Sequence, residues 1–65
     1  MMLKPDMKKG LAVTLAIAET RRARFGILLL VRVFGERREI EHLGYIHRLQ
    51  RWRGRWYHTA IREAG

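Results

Sequence analysis

The side chains best suited to chemistry lie between Tyr45 and His58. Arg48, Arg51, Arg53 and Arg55 alternate there with Trp52, Trp56 and Tyr57, and no acidic residue interrupts them. A guanidinium grips a phosphate with two parallel hydrogen bonds, and an aromatic face stacks on an unpaired base. A twisted β-hairpin also enters a groove of a duplex. The pattern therefore points to nucleic acid, through Arg48, Arg51, Arg53 and Arg55 on phosphates with Trp52 or Trp56 near bases. The competing reading is structural: large aromatic rings cap a thin core while the arginines stay solvated.

Other chemistries find less support. The histidines are His42, His47 and His58. An offset of five between the first two sends them to opposite faces of a strand and well apart around a helix, which does not make a metal-ligand pair. Serine and cysteine are absent, so the usual nucleophiles are missing. Glu36, Glu39 and Glu41 form the one acidic cluster, and adjacent Arg37 and Arg38 account for it as solvated ion pairs. The glycines are scattered and build no phosphate loop. The expectation is a protein that is not an enzyme and needs neither metal nor cofactor.

Charge and size narrow the class further. Fourteen Lys and Arg against six Asp and Glu give a net charge of +8 on 65 residues, and eleven of those cations are arginine. Such a surplus favours an anionic partner, although it also serves simply to keep a basic chain dispersed. One domain of this length has little core, and without cysteine no disulfide supplements it. An oligomer or a bound partner is the expected supplement. Serine, asparagine and cysteine are missing and Gln50 is the lone glutamine, a depletion that fits a thermophilic source.

The elements that position these groups are read from apolar periodicity. Residues 1–10 are expected to be an irregular basic leader, with a single small domain over 11–65. Lysines ahead of Leu11–Ala18 sketch a secretory signal, but the apolar stretch is minimal and holds Thr14. The runs 11–18 and 25–34 are each too short to span a bilayer, and joining them would bury four charged side chains. A cytoplasmic protein without a membrane partner is expected.

Alternation of Leu11, Val13, Leu15 and Ile17 with alanines and Thr14 predicts a strand over 11–19, with a helix over 11–24 as the competitor. Phe25–Phe34 predicts a central strand with Phe25, Ile27, Leu29, Val31 and Val33 on one face. Leu28, Leu30 and Phe34 on the other are then free for a partner or a second copy. Gly35–Arg37 reads as a turn, 38–50 as a strand or else a helix within 38–52, and the tail as a hairpin turning at Gly54. The fold class expected is mainly β: a small antiparallel meander of about four strands.

Two functions fit. The first is a small basic nucleic-acid-binding protein, with DNA or RNA as target. The alternative is a small regulator, of transcription for instance, that docks on a nucleic-acid enzyme such as RNA polymerase or a nuclease through the spare apolar face. A homodimer is compatible with both.

Overall fold

A computed structural model describes the backbone of residues 5–65, with side chains from Lys8 onward. Two helices, α1 (Pro5–Arg22) and α2 (Phe25–Phe34), precede three strands, β1 (Glu36–His42), β2 (Tyr45–Trp52) and β3 (Arg55–Glu63). The mainly β meander of four strands is thereby corrected: both N-terminal apolar runs are helical. Helix α1 also takes in residues 5–10 of the expected leader; residues 1–4 lie outside the described residues.

Burial shows why the strand readings fail. Leu29, Val31 and Val33 would share one strand face, yet Val31 is fully buried while Leu29 and Val33 are 47% and 70% exposed. Likewise Val13 is buried and Leu15 is not. In α2 the inward residues are Ile27, Leu28 and Val31, the one-turn spacing of a helix. Three consecutive leucines also favour that form. A ten-residue apolar run has no period that separates the two options.

The strands form an antiparallel sheet in the order β1-β2-β3. Both connections are two-residue turns with positive φ at each central position, Leu43–Gly44 (53° and 82°) and Arg53–Gly54 (52° and 77°). That geometry matches the right-handed twist of the flanking strands. The expected turn at Gly35–Arg37 is displaced, because β1 already begins at Glu36. Segment 38–50 is itself split by the turn at Gly44 into two paired strands. Register is Glu36↔Arg51 through His42↔Tyr45 on one side of β2. On the other, Arg48 faces Ala60 and Leu49 faces His58, so Thr59 is the extra residue of a bulge.

The helices cover opposite faces of the sheet. Arg38, Ile40, Leu49 and Trp56 lie on the face met by Ala12, Leu15 and Glu19 of α1. Helix α1 runs obliquely across it. At one end Gly10 is so close to His42 that an added Cβ would sit 3.0 Å from Nε2. At the other end the His58 N–H donates to the Thr20 hydroxyl at 2.7 Å. That hydroxyl donates in turn to the Ala16 carbonyl at 2.7 Å. The chain then rounds the β3 edge, and α2 lies against Gln50 and Trp52 on the far face.

Gln50 fastens α2 there. It is 1% exposed, and its Nε2 lies 2.9 Å from the Val31 carbonyl, 3.2 Å from that of Gly35 and 3.3 Å from that of Arg32. The Val31 carbonyl also accepts the Gly35 N–H at 2.8 Å, whereas those of Arg32 and Gly35 lie where a helix C-terminus leaves carbonyls without intrahelical donors. Gly35 must be glycine for space, since a Cβ there would stand 2.4 Å from the Val31 carbonyl oxygen and 3.0 Å from Gln50 Cβ. Replacing Gln50 by Leu removes the donor that reaches the Arg32 and Gly35 carbonyls, while the Val31 carbonyl keeps the Gly35 N–H, and should cost about 1–3 kcal/mol in all. Urea denaturation of Gln50→Leu should show a loss of that size. A loss below about 0.5 kcal/mol, the scale of an ordinary surface change, would contradict the clamp.

Candidate nucleic-acid interface

The arginine–tryptophan segment forms the β2–β3 hairpin, so its side chains divide between two faces. Arg51 and Trp56 stand opposite each other on the α1 face, with the guanidinium 5.7 Å from the indole centroid. Arg51 also binds Glu36 at 2.7 Å. Trp52 points to the α2 face, where its ring centroid is 6.0 Å from that of Phe34 at 30°. The tryptophans therefore cannot form one continuous stacking platform. Arg53, in the turn, lies 5.7 Å from the Trp52 ring, and Arg55 binds Glu19 of α1 at 2.8 Å.

Arg48 stands apart from the hairpin tip. Half-buried in mid-strand, it is registered against Glu39. Glu39 itself is held by Arg62 at 2.7 Å. The Arg62 hydrogen bond, its charge and, more weakly, that of Arg48 hold the Glu39 carboxyl below its ordinary range; Arg62 is raised in return. This patch is close to charge balance. The unbalanced charge lies at the other end of the sheet.

There the α1–α2 junction meets the hairpin tip. A cleft of about 500 Å³ is lined by Arg22 and Arg24 from the junction, Arg53 and Arg55 from the hairpin, and the rings of Trp52 and Tyr57. Glu19 is the one acidic lining residue, and it is already bonded to Arg55. Arg24 is the N-cap of α2, supplies no side-chain cap bond, and is followed by no acidic residue in the first turn. The helix dipole thus adds to the positive field at the cleft. Trp52 Nε1 is buried with no hydrogen-bond partner among the described residues.

Of the residues expected from sequence, Trp52, Arg53 and Arg55 share this cleft, Arg51 and Trp56 sit on the opposite face, and Arg48 lies outside it. Arg22, Arg24, Ile27 and Tyr57 are additions. The run of cations at 21–24 was the available signal, but a charged connection does not show which element it will fold against.

The expected contact residues also re-sort. Leu28 is half-buried, and Leu30 and Phe34 are exposed. The outward stripe of α2 also includes Phe25, Leu29 and Val33, spaced i, i+4, i+8. Among the described residues no helix is long and apolar enough to cross a membrane, and no three His, Asp or Glu side chains are grouped to hold a metal ion. Comparison of the chain with protein-family models, with curated proteins and with solved structures finds no match.

One ionisable pair bears on stability. His47 Nδ1 and His58 Nε2 lie 2.9 Å apart, a bond that needs one ring to donate and the other to accept. Burial first, and the His47 charge second, hold His58 below its ordinary value of 6.5. The folded state thus binds this proton less readily than the unfolded chain. The His58 contribution is complete above about pH 6.5 and is lost as pH falls through the lowered folded value. Thermal melts should show a fall in midpoint from about pH 7.5 to about pH 5 that shrinks in His58→Gln. An equal fall in both proteins would remove His58 as the cause.

Proposed function

We propose that the chain is a non-catalytic nucleic-acid-binding module that holds the phosphodiester backbone in the cleft between the α1–α2 junction and the β2–β3 hairpin. One observation carries this reading: Arg22, Arg24, Arg53 and Arg55 converge on one cleft with a single carboxylate among them. Like charges held together repel, and a polyanion relieves that repulsion. Arg22, Arg24 and Arg53 are the first phosphate contacts, because none has an ion-pair partner among the described residues. Arg51 and Trp56 extend the surface round the other side of the hairpin. Neutralising phosphates releases condensed counterions, so affinity must fall steeply with salt.

The second reading, a regulator that docks on RNA polymerase or a nuclease, is favoured by a different feature. Phe25, Leu29 and Val33, one helical turn apart, form a continuous exposed apolar stripe of the kind that serves as a contact surface. A tagged chain that captures such an enzyme after nuclease treatment, and loses it in Leu29→Glu, would choose this reading over the first.

Binding to single-stranded and duplex DNA and RNA, measured over a range of salt, tests the first reading. The logarithm of the association constant should fall linearly with log salt, by about 0.7–0.9 per phosphate neutralised. Arg24→Ala and Arg53→Ala should each reduce that slope by about one phosphate contact, whereas Arg62→Ala should leave it unchanged. Absence of salt-sensitive binding to every nucleic acid would overturn the proposal.

A further inference from the structure

A second groove lies on the α1 face of the sheet and reaches the hairpin at Arg55 and Trp56. Its volume is about 550 Å³, within the range of small-molecule sites. One wall is the α1 stripe Ala12, Leu15 and Ala18, and the floor is Ile40, Leu49 and Trp56. The space exists because the helix presents alanines where larger side chains would reach the sheet. Helix α1 is apolar on more than its packed side: Val13 and Ala16 are buried, while Leu11 and Leu15 are 54% and 61% exposed.

The groove also has a direction. Gly10 of α1 meets His42 at one end of the sheet, and Glu19 meets Arg55 at the other. Ala12, Leu15 and Ile40 accordingly form an apolar half, and Arg22, Arg38 and Arg55 line the opposite half. Glu19 neutralises Arg55, which leaves Arg22 and Arg38 as the uncompensated cations of the lining. An apolar trough ending in two guanidinium groups complements a molecule with an alkyl chain and an anionic head. A second copy of the chain, at +8, brings no such complement.

We propose that this groove binds a free single-chain anionic amphiphile of the fatty-carboxylate type. The alkyl chain lies along Ala12, Leu15 and Ile40 over the Leu49 floor, and the carboxylate pairs with Arg22 and Arg38. This site adjoins the phosphate cleft, and Glu19, Arg22 and Arg55 border both. Arg38 belongs to the groove alone, and Arg53 to the cleft alone.

The test is titration of the full chain with monomeric octanoate, decanoate and dodecanoate and with the matching alcohols, below their micelle concentrations, followed by tryptophan fluorescence. The dissociation constant should fall roughly fourfold per methylene, and each carboxylate should bind roughly tenfold more tightly than its alcohol. Arg38→Ala should reduce that preference and retain alcohol binding, while Arg53→Ala changes neither. Ala12→Phe should plug the groove. Leu15→Asp, at an exposed position, provides an independent block should the plug disturb folding, which circular dichroism monitors. Affinity independent of chain length, equal binding of acid and alcohol, or binding undiminished in a folded blocking variant would overturn the proposal. So would a dimer that Leu15→Asp dissociates in the absence of amphiphile binding, or attachment to phosphatidylglycerol vesicles without binding of the monomeric carboxylate.

Discussion

The side-chain amide of Gln50 ties the two halves of the molecule together. Its Nε2 reaches carbonyls of Val31, Arg32 and Gly35 from the central strand, so the C-terminus of α2 is fixed to the sheet where β1 begins. With that end held, Glu36 follows immediately and pairs with Arg51, which sets the β1–β2 register. Two residues along β2, on the same face, Trp52 packs against Phe34 and keeps α2 in line. The other end of α2, bearing Arg24, is thereby carried to the hairpin tip. A buried polar group that satisfies helix carbonyls thus positions the cationic cleft.

The hydrophobic contribution is small and distributed. Among the described residues five apolar ones, Val13, Ala16, Val31, Leu49 and Tyr57, are buried, and they lie on both faces of the sheet. A sheet of three strands between two short helices cannot enclose more. Polar docking carries much of the orientation: Thr20 against β3, Gln50 against α2, and Glu19 on Arg55. The exposed ion pairs add little individually. Their consequence is spatial: pairing neutralises the patch around Glu39 and Arg62 while arginines accumulate at the junction and hairpin tip.

The hairpin was legible because its signals are local. Gly54 follows Arg53 between two runs of strand-forming residues, and the density of arginine and aromatic rings needs no fold to be seen. The helices were harder to see: a helix over 11–24 competes with a strand and ranks behind it, and none is expected over 25–34. LAVTLAIA alternates large and small residues, as a strand would, and FGILLLVRVF is apolar at every position but Gly26 and Arg32. Tertiary packing against the sheet chose the helix in each case. The turn within 38–50 was hidden because it uses Leu43 as well as Gly44 at positive φ, a conformation that leucine rarely adopts. The contribution of Arg22 and Arg24 was hidden for another reason: it depends on α1 and α2 lying on opposite faces, which brings their junction round the sheet edge to the hairpin.

What remains exposed is apolar as well as basic, with a stripe on α2 and a groove beside α1. The central functional claim is that the junction and the hairpin tip act as one cationic surface for an anion. Chemical-shift mapping with a short single-stranded oligonucleotide measures this most directly. The account predicts that amide shifts concentrate at residues 22–27 and 52–57, including the backbone of Arg24 and Gly54, and vanish in high salt. Shifts centred on Leu29 and Val33, or on the Glu39–Arg62 patch, would contradict it.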